Sequence, residues 1–142
     1  MKDTQESGAI KHRLKRVALQ NAIEEATRGL YFVSEIDSEV FTFRERSESQ
    51  KFFKELHKLL KNADRKTVKI DALKHRLTAI HEWQNERAAE NASGFRRLFQ
   101  LLEENLEALQ IVRFGEVEVE IYVVGFDSEG RIAGIKMNAF ET

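Results

Sequence analysis

The C-terminal third of the chain carries the pattern that most restricts its fold. Val117, Val119, Ile121 and Val123 alternate with Glu116, Glu118, Glu120 and Tyr122. That period of two puts one set on each side of a strand and predicts a half-buried strand with one apolar face. Asp127-Ser128-Glu129-Gly130 follows as a hairpin turn, with glycine where a positive φ is needed. Residues 131–140 then return as the partner strand. A hairpin with one greasy face cannot stand alone, so helices must cover it.

The upstream sequence supplies them. From Ile10, residues Leu14, Val17, Ala18, Ile23 and Ala26 follow helical spacing, and Gly29 is a natural stop. Leu30 to Val33 is a short buried run, residues 34–38 a polar break, and residues 39–44 alternate as a strand. Phe52, Phe53, Leu56, Leu59 and Leu60 stripe a second helix over residues 47–60. Val68-Lys69-Ile70 is expected to be a short strand, with Asp71 capping a short helix through Leu77. Residues 78–92 have no clear period. A long helix then carries Phe95, Leu98, Phe99, Leu102 and Leu106 to the core. Helices come first and strands last, which predicts an α+β fold with an antiparallel sheet. Residues 1–142 are expected to form one domain, with residues 1–9 polar and mobile.

Several function classes fall away. The chain has no Cys, hence no disulfide framework, thiolate metal site or cysteine nucleophile. His81-Glu82-Trp83-Gln84-Asn85 resembles a zinc-protease motif but has Asn85 where the second histidine ligand must stand. Neither a phosphate-cradling Gly-rich loop nor a Gly-x-Ser-x-Gly elbow occurs. No apolar run is long enough to span a membrane, and the N-terminus lacks the apolar core of a signal peptide. A cytoplasmic, membrane-free protein is the expectation, non-enzymatic and without a cofactor of its own unless carboxylates distant in sequence pair in space.

The charges are unevenly distributed along the chain. The net charge is −1, which argues against non-specific binding of nucleic acid. Nine acids and three bases fall between Glu103 and Thr142, so that end should attract a basic partner. Glu116, Glu118 and Glu120 read either as a solvated strand face or as an acidic surface imitating DNA. Lys11 to Arg16 is a basic run with two readings: a solvated helix face, or contacts to phosphate. It has no interleaved aromatics for stacking bases.

The stretch from Arg113 to Gly125 resembles the penultimate strand of the nuclease A inhibitor family. The likeness continues through Gly130 to Ile135 and the terminal Glu141-Thr142, and upstream through Gly29 to Glu35 and Glu39 to Phe41. The resemblance implies a three-layer α-β-α sandwich that plugs the active site of a sugar-non-specific, magnesium-dependent nuclease of the ββα-metal type. It implies a monomer forming a one-to-one complex. By the same likeness, Glu35 imitates the scissile phosphate, and Thr142 supplies an oxygen ligand to the nuclease's magnesium. Glu82 and Trp83 form a second contact. The chemistry of each residue agrees. Mg²⁺ is hard and takes oxygen ligands in place of water. A preorganised carboxylate loses little entropy on binding. Trp is the side chain most enriched in binding hot spots, and Trp83 is the chain's one tryptophan. Without the likeness, Glu35 would read as a solvated loop acid, Thr142 as a frayed end and Trp83 as a core residue. A regulatory adaptor or immunity protein that uses this fold on a different protein is the alternative reading. A nucleic-acid module built on Lys11 to Arg16 is a third.

Overall fold

The computed structural model describes residues 13–33, 37–43, 54–56, 58, 68–81 and 83–140. In chain order these form α1 (Arg16–Thr27), β1 (Tyr31–Phe32), β2 (Ser38–Thr42), α2 (Val68–Thr78), α3 (Glu86–Asn105), β3 (Glu107–Phe114), β4 (Glu118–Phe126) and β5 (Ile132–Phe140). The strands make one five-stranded sheet in the order β1-β2-β5-β4-β3, with every pairing antiparallel. The fold is α+β, as the sequence predicts.

The C-terminal hairpin forms at the expected turn. β4 and β5 pair along their whole length, from Glu118 with Phe140 to Phe126 with Ile132. Asp127 closes the turn: its buried Oδ1 accepts the N–H groups of Glu129 (2.8 Å) and Arg131 (2.9 Å). Gly130 takes the left-handed conformation, at φ 77°.

One face of the sheet is covered by α1, α2 and α3. Phe95, Leu98, Phe99 and Leu102 of α3 are spaced i, i+3, i+4 and i+7, and every one is fully buried. They pack with Leu19 and Ile23 of α1 and Ile70 of α2 over Val119, Ile121, Val123, Ile135 and Met137. Asn85 caps α3, its side chain accepting the Ala88 N–H at 2.8 Å. The helix therefore begins inside the stretch that has no clear period in the sequence.

The opposite face is also apolar at its centre. Tyr122 is fully buried there with Phe43, Leu56, Val124 and Ile132. Phe43 and Phe114 meet its ring edge-on, each at 5.9 Å between centroids. β4 is consequently not a half-buried strand with Tyr122 on its solvated side. Only its first turns keep that character: Glu118 is exposed and Glu120 half-buried. Leu56 is the helical residue described on this face; most of the helix expected over residues 47–60 lies outside the described residues.

Three further expectations are corrected, and one strand is added. Val68-Lys69-Ile70 opens α2 instead of forming a strand, and Asp71 lies in its first turn. Two β-branched residues favour a strand locally, but the buried Ile70 docks on α3 and β3 as part of a helix. α1 starts at Arg16, and its buried stripe is Leu19, Ile23 and Thr27. Val17 points to solvent at 68% exposure, and Ala18 is exposed as well. Val117 is 58% exposed in the bend before β4 instead of in the strand. Finally, β3 is a strand the alternation does not reveal. It is an edge strand with apolar residues toward both faces, Leu109 and Ile111 on one and Val112 and Phe114 on the other. Its ladder is also shifted between Glu107 and Gln110, where Ala108 has φ 56°.

The basic run is not a solvated helix face either. Its residues from Arg13 to Lys15 precede α1 and tie the chain to the far end of the sheet. Arg13 pairs with Glu107 at 2.6 Å, Asn105 accepts the Leu14 N–H at 2.8 Å, and Glu129 accepts the Arg16 N–H at 3.2 Å. Lys11 and His12, like residues 1–9, lie outside the described residues.

A candidate partner-binding edge

Antiparallel register decides which chain segments share an end of the sheet. Phe32 pairs with Ser38, Val40 with Met137 and Phe140 with Glu118. The end of β1, the start of β2, the end of β5 and the start of β4 therefore lie side by side. Phe114, which pairs with Glu120, brings the end of β3 to the same edge.

The two helices that flank the α2–α3 loop are tied to this edge. On the α2 side, Arg76 donates from Nη2 to the Val33 carbonyl at 3.2 Å and lies over the Phe32 ring at 5.3 Å. On the α3 side, Asn91 exchanges two hydrogen bonds with Tyr31, each 3.0 Å: its Nδ2 donates to the carbonyl and its Oδ1 accepts the N–H. Arg87 stacks over the Tyr31 ring at 4.1 Å. These contacts are invisible in the sequence, where Arg76, Arg87 and Asn91 read as ordinary polar helix positions.

Trp83 sits in that loop and is 80% exposed. This excludes the reading of Trp83 as a core or half-core residue. A turn holds it, with the Gln84 N–H donating to the His81 carbonyl at 3.1 Å. The His81 N–H in turn donates to Gln84 Oε1 at 2.7 Å. The His81 imidazole stacks on the indole with centroids 5.0 Å apart and planes within 5° of parallel. Ile80, Val33 and Val117 are further exposed apolar residues of the loop and of the segments that leave this end of the sheet.

Glu35, Glu82 and Thr142 lie outside the described residues. The nearest described residues lie one or two positions away along the chain. Val33 and Asp37 flank the Glu35 segment and are exposed, His81 and Trp83 flank Glu82, and Phe140 is two residues from Thr142. Glu116 and Glu118 are exposed at the start of β4, while Glu120 pairs with Lys136 at 3.3 Å.

Among the described residues no group of three or more His, Cys, Asp or Glu side chains could hold a metal ion. No described helix is long and apolar enough to cross a membrane. An exposed tryptophan on a loop between two helices is a candidate contact for another macromolecule, since tryptophan is enriched at binding hot spots.

The family comparison makes the class specific. The chain matches the model of the nuclease A inhibitor-like proteins over residues 17–142, nearly its whole length, and it belongs to that family. A search among curated proteins found no match. Membership points to a nuclease-inhibitor role, to a nuclease as partner and to a protein without catalysis of its own.

Proposed function

We propose that this protein is a stoichiometric inhibitor of a sugar-non-specific, magnesium-dependent nuclease of the ββα-metal type. As a monomer it forms a one-to-one complex and closes the nuclease active site. Glu35 stands in for the scissile phosphate, and Thr142 gives an oxygen ligand to the nuclease's magnesium. Trp83, with Glu82, anchors a second patch. The protein has no cofactor of its own, makes no direct contact with nucleic acid, and protects the producing cell from within its cytoplasm.

The observation that carries this reading is the exposed Trp83 on a loop braced to β1. β1, which precedes the Glu35 segment in the chain, and β5, which precedes Thr142, end on the same side of the sheet. Involvement of Arg13 with Glu107 weighs against phosphate contacts by the basic run. Titrating the protein into plasmid digestion by such a nuclease tests the proposal. Cleavage should cease at a one-to-one ratio. Undiminished cleavage with no complex on size-exclusion chromatography would reject it.

Trp83→Ala should raise the dissociation rate of the complex about thirtyfold or more, the size of a hot-spot truncation. Its melting temperature should stay within about 2 °C of the parent, because so exposed a side chain contributes little to the core. Surface plasmon resonance and a thermal scan measure the two. A large loss of stability with an unchanged dissociation rate would remove Trp83 from the interface.

A further inference from the structure

Trp83 is exposed, yet its ring is not isolated on the surface. The His81 imidazole covers one face of the indole in a parallel stack at 5.0 Å. His81 is fixed in turn by the reciprocal hydrogen bonds with Gln84, 2.7 and 3.1 Å long, that close the turn from 81 to 84. The loop is clamped on either side, by Arg76 on the Val33 carbonyl and by Asn91 on Tyr31. The helices on either side of the loop are thus tied to β1, and the turn between them carries the stacked ring.

We propose that His81 and Gln84 are positioning residues that present Trp83 with one indole face covered and the other open to the nuclease. This rests on the inhibitor reading above. The physical gain is preorganisation. A rotamer-rich side chain immobilised only on binding costs affinity, and a ring already held by a stack and a closed turn has lost that freedom beforehand. Gln84 holds the His81 backbone, and His81 holds the ring.

Because Trp83 is the chain's single tryptophan, its fluorescence reports on this ring alone. Time-resolved anisotropy of the free protein should show faster, wider ring motion in His81→Ala than in the parent. The dissociation constant of the nuclease complex should rise about three- to tenfold, corresponding to the freedom of one side chain. His81→Phe keeps a flat ring and should restore both quantities; Gln84→Ala should change both in the same direction as His81→Ala. A merely structural role would move the melting temperature and leave the ring motion alone. Unchanged anisotropy in His81→Ala overturns the positioning role, as does altered anisotropy with unchanged affinity in a chain where Trp83→Ala weakens binding. A parent protein that binds no nuclease overturns the inhibitor reading itself, a failure the anisotropy of the free protein cannot mimic.

Discussion

Deleting Thr142 is expected to weaken nuclease inhibition more than a hundredfold while leaving the circular dichroism spectrum unchanged. The proposed role is a direct oxygen ligand to the nuclease's magnesium. Such contacts contribute several kcal/mol of charge stabilisation, and each 1.4 kcal/mol is tenfold in affinity. The shortened chain still ends in a carboxylate, on Glu141, but one residue too short to reach the metal if β5 holds its register through Phe140. The metal supplies a second readout. Removing magnesium from the nuclease should weaken binding of the parent and leave the truncated protein nearly unaffected, because the two changes remove the same contact. Equal losses on metal removal for both proteins would reject metal ligation. Glu35→Gln should weaken binding in its own right, since a neutral amide cannot imitate a phosphate's charge. Equal affinities of Glu35→Gln and the parent in titration calorimetry would sink that role.

Gly134→Ala should be strongly destabilising, at about 3–5 kcal/mol from positive-φ strain combined with steric conflict. Gly134 lies in β5 at φ 147°, directly opposite Val124 of β4. A methyl group there would sit 2.1 Å from the Val123 carbonyl oxygen and 2.8 Å from the Val124 Cα. Both are backbone atoms in the middle of the sheet and cannot swing aside. On its other side the Gly134 carbonyl accepts the Phe43 N–H at 2.8 Å, so β5 cannot retreat without losing β2. Since domains are stable by only about 5–15 kcal/mol, the variant should lose a large share of its stability. Urea unfolding followed by circular dichroism measures the loss. Gly130→Ala is the internal control: Gly130 also has positive φ but nothing within 4 Å of the added carbon, so strain of about 1–2 kcal/mol should be its whole cost. Matching midpoints for the two variants would show that the close approach of β4 and β5 at Gly134 carries no weight.

The parts of the fold legible in the sequence are those whose signal is local. The β4–β5 hairpin shows in alternating valines and a turn ending on Gly130. α3 shows in Phe95, Leu98, Phe99 and Leu102, because one stripe faces one core. β3 leaves no such signal. Its residues are apolar toward both faces and its ladder is interrupted, so neither period survives. Val68-Lys69-Ile70 carries a misleading one, since strand propensity is overruled once Ile70 packs as part of a helix.

The candidate site divides along the same line. That Glu35, Glu82, Trp83 and Thr142 are its residues is a reading available from the sequence through its family likeness. Family membership over residues 17–142 supports the nuclease-inhibitor role behind it. Residues as distant as Arg76 and Val33, or Asn91 and Tyr31, meet only because antiparallel register and helix docking carry them there. Composition and periodicity by themselves determined an α+β chain without thiol chemistry, its last hairpin and its longest helix, because each depends on spacing within a few turns of chain. Tertiary structure decided that Tyr122 is buried and Trp83 exposed. An aromatic side chain gains as much from covering a core as from covering a partner, and which it meets depends on neighbours distant in sequence: Phe43 and Phe114 for Tyr122, and for Trp83 a loop anchored to β1 through Arg76 and Asn91.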